Sequence, residues 1–335
     1  MGVTMKEIAK LAGVHQCTVS MVLNGYTNIS PKTKKRILDL VKKLNYQPNI
    51  SGRRLSKQRT YAIGVFIPIK NMRLELTESI SAVLSGVGSA AKGESEYDII
   101  LQSPQEGRDQ YDFSGLFSRG RIDGAVMCFP FGNEEHYAVL AEEGYPAVCV
   151  RNSSASIDYV QIDNPGAIEK IMDHLCGLGH TAIGFLASVK DVVDHRERFE
   201  AYRKLSSARG LRQMVGFGLV NGDGGYEAMK QLLPHNPTAV VTCGDLMAAG
   251  AMEYIKEKGL SVPGDISVTG FDDLESMAKM SPSLTTIRQP YFDMGREAVS
   301  LLIRRIEGKA GRNQQKKVFP AELIVRKSTA PPRGR

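Results

Sequence analysis

MKEIAKLAGVHQCTVSMVLNG, residues 5–25, sets two short amphipathic segments on either side of a small-residue break at Ala12-Gly13. Thr4 and Glu7 stand in the T-x-x-E spacing of a capping box, which predicts a helix from near Met5 to about Leu11. The polar run His15-Gln16-Cys17-Thr18 starts a second helix, whose Val19, Val22 and Leu23 share one face at 3.6-residue spacing. Small residues at Ala9 and Gly13, where the two helices cross, are what a helix-turn-helix requires. Val19 can then pack back on the first helix, leaving the polar outer face of the second free to meet base edges in a major groove. Gln16 suits adenine, and Thr18 suits a thymine methyl or a phosphate. Any helical hairpin has a small residue at its crossing, so the reading depends on context.

The context agrees. Ser30-Pro31 supplies an N-cap with proline in the first turn of a third helix, which runs through Ile37, Leu38, Val41 and Leu44. Tyr46-Gln47-Pro48-Asn49 ends it, because a residue before proline is driven out of the α region. ISGRRLSKQRT, residues 50–60, is polar and basic with one leucine, and reads as a linker able to fold on binding. Residues 1–60 hold 12 of the 43 Lys and Arg but only Glu7 and Asp39 of the 36 acidic residues, so a head of +10 precedes a body of −3. That asymmetry fits a polyanion-binding module, a solvated basic face being the alternative.

From Tyr61 the periodicity changes. YAIGVFIP, YDIILQ, IDGAVMCF, PAVCVR, YVQID, TAIGFLAS, TAVVTCG and ISVTGFD are short β-rich runs. Amphipathic stretches of helical length, 164–178, 194–210, 245–258 and 290–307, fall between or after them. Such alternation predicts βαβ units and parallel sheets with helices on both faces. The expected architecture is an all-α helix-turn-helix headpiece over 1–46, a hinge over 47–60 and an α/β core over 61–335. The core is read as two doubly wound lobes, approximately 61–161 with 288–320, and 162–287 with 321–335.

Several classes are disfavoured. The 42% hydrophobic and 24% charged residues are ordinary for a globular chain of 335 residues. No run approaches the roughly 20 apolar residues of a membrane span, and MGVTMKEIAK lacks the apolar centre of a secretory signal. Five widely spaced cysteines, Cys17, Cys128, Cys149, Cys176 and Cys243, form no metal-like cluster and point to a reducing cytoplasm. There is no P-loop, GxSxG, HExxH or post-strand GxGxxG, and His174 and His180 lie off the i, i+4 spacing of a helical metal pair. No enzyme, cofactor or metal is therefore expected.

TMKEIAKLAGVHQCTVSMVLN, followed by ISPKTKKRI and LNYQPN, resembles the headpiece of the LacI/GalR family of bacterial transcription factors. The resemblance covers nearly the whole chain. YAIGVFIP is similar to the family's first core strand, and Val160-Gln161-Ile162-Asp163-Asn164 and His174-Leu-x-x-Leu-Gly-His180 to its mid-chain signature. GFDD at 270–273 and LTTIRQP at 284–290 match its late strand and last crossover. The resemblance implies a core similar to periplasmic sugar-binding proteins and a homodimer on a pseudo-palindromic operator in double-stranded DNA. It also implies a small polar effector, most commonly a sugar, and a cytoplasmic, nucleoid-associated regulator, here read as a repressor.

Carried over position by position, Gln16 and Cys17 would face bases, with His15 and Met21 on the same reading helix. Thr18, Ser20 and Asn24 would fix phosphates, with Ser30, Thr33 and Tyr46 in support, and Thr4 is counted among the DNA-binding residues. Asn49, Gly52, Arg53, Arg54 and Leu55 match the minor-groove hinge, where Leu55 would wedge between base steps. Met21 stands where many members have arginine and His15 where many have serine. A guanine-reading contact is thereby replaced by an apolar one, and the operator is expected to differ from the family's commonest half-site.

In the core, Arg198-x-x-Ala201-Tyr202 matches the family's R-x-x-G-[FY], and Asp272 its late-strand aspartate. Arg198, Asp245 and Asp272 are the expected effector contacts, an Arg–Asp pair holding the lobes together being the other reading of Arg198 and Asp272. Gly244-Asp245 replaces the family's Asn-Asp, and the loop Asn221–Gly225 is short where many members place an aromatic that stacks on the sugar. Weak binding of simple hexoses is expected, and better binding of a smaller or more strongly charged molecule. A nucleoid architectural protein with a ligand-free core is the second class these losses suggest.

Overall fold

Thr4 opens the first helix as the spacing predicts. Its hydroxyl accepts from the Glu7 amide at 3.3 Å, and its own amide donates to Glu7 Oε2 at 2.7 Å, closing both halves of the box. Helix α1 spans Met5–Ala12 and ends at Gly13, whose φ of +59° is the left-handed conformation that glycine adopts at least cost. Helix α2 spans Gln16–Leu23 and α3 spans Pro31–Lys43, the latter capped by Ser30, whose Oγ accepts from the Thr33 amide at 3.2 Å. Ile8, Ala12, Val19, Val22 and Ile37 form a small buried core with Tyr46 packed onto it. Leu11 and Leu38, apolar in the helical pattern, face solvent at 61% and 42% exposure, since a three-helix core of this size has no room for them.

The computed structural model describes residues 3–23, 26, 28–44, 46, 59–67, 77–94, 97–102, 113–129, 134–189 and 192–333. By its internal contacts the chain divides into units 1–60 and 61–335.

Within the second unit the elements run β1 (Ala62–Phe66), α4 (Thr77–Glu94), β2 (Asp98–Gln102), α5 (Phe113–Ser118), β3 (Gly124–Cys128), α6 (Glu134–Glu142), β4 (Ala147–Val150) and β5 (Asp158–Ile162). There follow α7 (Asn164–Gly177), β6 (Ile183–Ser188), α8 (Val193–Ala208), β7 (Val215–Gly218), α9 (Gly222–Leu232), β8 (Ala239–Thr242), α10 (Asp245–Glu257) and β9 (Ser267–Thr269). The last elements are α11 (Glu275–Ala278), β10 (Thr286–Arg288), α12 (Tyr291–Ile306), β11 (Lys316–Phe319) and β12 (Glu322–Ile324).

Two parallel sheets result. The first has the order β11-β5-β4-β3-β1-β2 and the second β7-β6-β8-β9. Strands β1, β3, β4 and β8 are buried along their whole length, as parallel strands covered on both faces must be. Helix α12 returns to the first sheet, where Met294, Ala298 and Leu302 pack with Val83 and Val87 of α4. These two helices approach closely: a Cβ on Gly295 would lie 2.2 Å from the Val83 carbonyl oxygen. The second sheet is covered by pairs α7/α8 and α9/α10, through Ile171, Phe185, Tyr202, Met229 and Ile255 among others.

A short antiparallel ribbon, β10 with β12, and the strands β7 and β11 were not among the sequence expectations. Their sequences explain it: TIR and ELI are three residues long, VGFG carries two glycines, and KKVF is an edge strand with two lysines. Asn221–Gly225, expected as a loop beside a ligand, is instead a helix start. Asn221 Oδ1 caps α9 by accepting from the Gly224 amide at 2.8 Å. The histidines of the mid-chain signature hold the C-terminal segment: His174 meets Thr329 at 3.0 Å, and His180 meets Thr238 and Ala330, each at 2.9 Å.

Candidate functional site

Helix α2 turns its apolar side inward and its polar side out. Val19 and Val22 are buried against α1 and α3, whereas His15, Gln16 and Cys17 are exposed at the helix start. Thr18, Ser20 and Met21 are half-buried along its flanks. The His15 carbonyl accepts from the Thr18 amide at 3.0 Å, so the first turn is closed by backbone and the Gln16 and Cys17 side chains stay available. Thr4, Ser30 and Thr33 are engaged in caps: Ser30 Oγ donates to Thr33 Oγ1 at 2.9 Å, and Thr4 is bound to Glu7. Tyr46 is buried in the headpiece core, its amide donating to the Val41 carbonyl at 3.0 Å. Asn24, Asn49, Gly52, Arg53, Arg54 and Leu55 lie outside the described residues.

The second site lies where strands of the core end. In open parallel sheets, ligands bind beyond the carboxyl ends of strands. Phe129 follows β3, Arg151 follows β4 and Asp272 follows β9. These three residues have φ of +54°, +65° and +143°, sterically unfavourable for side-chain-bearing residues, as is Asp273 at +59°. Strain of this kind costs roughly 1–3 kcal/mol per residue and clusters at functional sites.

Arg198, on α8, is completely buried. Its Nε donates to Asn164 Oδ1 at 2.8 Å, its Nη1 to the Cys243 carbonyl at 2.6 Å, and its Nη2 stands 3.6 Å from Asp194 Oδ2. Arg151 reaches the same Asp194 oxygen, at 3.5 Å. Burial raises the Asp194 carboxyl pKa, and the two guanidinium groups oppose that rise. Asp272 Oδ1 accepts from Gln289 Nε2 at 2.6 Å and from the Tyr291 hydroxyl at 2.8 Å. Asp245 lies deeper. Its Oδ1 accepts from the Thr286 hydroxyl at 2.5 Å and its Oδ2 from the Leu274 amide at 2.8 Å, so both oxygens are occupied by protein. Burial, with Asp272 adding repulsion, pushes its carboxyl up to about 8. A Cβ on Gly244 would stand 2.9 Å from Val220 Cγ1 and 3.4 Å from Asp272 Oδ2, so this spot leaves little room for the amide that the resemblance led one to expect.

The structure thus brings Arg198 and Asp272 toward a common region and sets Asp245 beneath it. It adds Arg151, Asn164, Asp194, Phe129 and Tyr291, which sequence reasoning did not single out. One signal for Arg151 was available: a lone cation directly after the apolar run PAVCV, at the end of a parallel strand.

A basic helix-turn-helix joined to a two-sheet binding core defines a DNA-binding transcriptional regulator. Residues 4–49 match the model of bacterial regulatory proteins of the lacI family, and residues 172–329 that of a periplasmic binding protein-like domain. Over 334 residues the chain is 30% identical to the HTH-type transcriptional regulator CelR of Thermobifida fusca, covering 97% of this chain and 98% of the relative. The lac repressor dimer bound to operator and the anti-inducer ONPF is similar at a TM-score of 0.80 and 27% identity, over 98% of this chain and 100% of that one. A CelR–cellobiose complex is similar at a TM-score of 0.73 and 29% identity, over 97% and 99%. The chain belongs to the lacI family of bacterial regulatory proteins, whose members here regulate transcription. No described helix is long and apolar enough to cross a membrane.

Proposed function

We propose that the chain is a homodimeric repressor acting in the cytoplasm at the nucleoid, reading a pseudo-palindromic operator and answering to a small polar effector. The observation that carries this is the exposed His15-Gln16-Cys17 start of α2 above the buried Val19 and Val22, on a head of charge +10. Gln16 and Cys17 read bases, with His15 and Met21 beside them. Thr18, Ser20 and Asn24 fix phosphates, with Thr4 also at the DNA, Ser30, Thr33 and Tyr46 support them, and Asn49, Gly52, Arg53, Arg54 and Leu55 enter the minor groove. A two-fold dimer imposes two-fold symmetry on its site.

In the core, Arg198 and Asp272 contact the effector, and Asp245 anchors the loop that carries Asp272. The site binds without catalysing, needs no cofactor or metal, and couples to DNA because effector and operator each favour one arrangement of the core, typically by about 1–3 kcal/mol. Selection of bound sites from random DNA by the full chain, with and without cell-extract metabolites, tests the reading. Enrichment of a two-fold-symmetric site whose recovery changes with metabolites is expected. Indiscriminate binding, unaltered by metabolites, would favour an architectural role instead.

A further inference from the structure

Arg151 carries hydrogen-bond donors that the core leaves unused. It is 11% exposed, yet its buried Nε has no well-formed hydrogen bond among the described residues, the Asp194 carboxylate standing 3.5 Å away. Its one ionic contact, Asp194 at 3.5 Å, is shared with Arg198, whose Nη2 is also buried without a hydrogen bond. Asp194 is therefore shared by two guanidinium groups, while Asp272 faces Arg151 and Glu197 faces Arg198. The neighbouring Asp272 already accepts from Gln289 and Tyr291, and Asp245 from Thr286 and Leu274.

The setting of Arg151 is built rather than incidental. Its guanidinium carbon lies 5.0 Å from the centre of the Phe129 ring and 5.6 Å from that of Tyr291, so two aromatic groups fix its position. Both Phe129 and Arg151 are held at positive φ immediately after strands β3 and β4. A nearly buried cation with unused donors is costly unless something accepts from it. The planar fork of arginine matches the paired oxygens of a carboxylate or phosphate.

We propose that Arg151, with Arg198 behind it, forms an oxyanion subsite, so that the effector is a small metabolite carrying a carboxylate or phosphate rather than a neutral sugar. This rests on the effector-responsive reading above and narrows it. Asp272, with Gln289 beside it, would accept from the hydroxyl groups of the same molecule.

The test is a thermal-shift and calorimetric panel on the full chain at constant ionic strength. It pairs neutral sugars, polyols and nucleosides one by one with their carboxylate and phosphate derivatives, and includes inorganic phosphate and acetate. Acidic members alone should raise the unfolding midpoint, the carboxylate and phosphate arms separating the two sources. Arg151→Gln should weaken their binding by about tenfold or more, the effect of losing a charged hydrogen-bonding partner. Arg151→Lys should recover part of it.

A neutral member that binds as tightly as its acidic partner, and shifts operator affinity, would overturn the oxyanion subsite while leaving the effector reading standing. Absence of binding by every member would overturn both. Undiminished binding of acidic members to Arg151→Gln would reduce Arg151 to a contact between the two halves of the core.

Discussion

The guanidinium of Arg198 lies over the ring of Phe271, its central carbon 3.5 Å from the ring centre, although neither side chain is exposed to solvent. The stack leaves the in-plane donors of Arg198 for Asn164, the Cys243 carbonyl and Asp194. This arginine is therefore part of the core's structure as well as of its proposed effector site. Arg198→Ala should destabilise the core by about 3–5 kcal/mol, the scale of removing one member of a buried, hydrogen-bonded ion-pair network. Arg198→Lys should recover little, because an ammonium has no planar fork. Urea unfolding of the full chain measures both, and a loss below about 1 kcal/mol in the alanine variant would contradict this account.

Asp245 makes stability depend on pH in a direction opposite to that of most carboxylates. Folded, its carboxyl is pushed up to about 8, by burial first and by Asp272 second. Between the usual carboxylate range and that value, the folded chain keeps a proton that the unfolded chain has released. Its contribution therefore falls as pH rises through this window and levels off above it. In Asp245→Asn, the amide oxygen can accept from Leu274 and the amide nitrogen can donate to Thr286, with no charge to desolvate. Urea midpoints at pH 5, 7 and 9 should show the variant gaining on the parent chain as pH rises. Parallel slopes would remove Asp245 as the cause.

Thr4 closes the headpiece at its first turn, and Thr4→Ala should cost roughly 0.5–2 kcal/mol, with Thr4→Ser retaining most of it. Amide exchange in α1, followed in the full chain, reports the change locally. Equal protection in all three proteins would mean that the cap contributes nothing to the helix.

These elements differ in how openly the sequence declares them. The T-x-x-E box, Ser30-Pro31 and the 3.6-residue spacing of Val19 and Val22 are local signals, and local hydrogen bonds and packing confirm them. The runs that form β1, β3, β4 and β8 are legible because a strand buried on both faces must be apolar throughout. The partners in the core site are not local. Arg151 and Asp194 are 43 positions apart and meet only because β4 and α8 converge. The occupancy of Asp245 by Thr286 and Leu274 depends on a crossover 41 and 29 residues away. Composition indicates that such groups exist, but only the topology determines which of them meet.

Gln16 is the residue whose substitution separates reading from mere holding. It stands exposed at the start of α2. A glutamine amide pairs in two places with adenine, a contact worth about 1–3 kcal/mol of discrimination against the wrong base. Gln16→Ala should therefore relax preference at one base pair per half-site and leave affinity for unrelated DNA nearly unchanged. Lys32→Ala, at the exposed start of α3, removes a charge without removing a base contact. It should weaken binding to all sequences alike and lower the salt slope by about 1. Site selection and salt titration on both variants separate the two outcomes. If Gln16→Ala instead weakens every sequence equally, α2 holds the backbone and another element reads the operator.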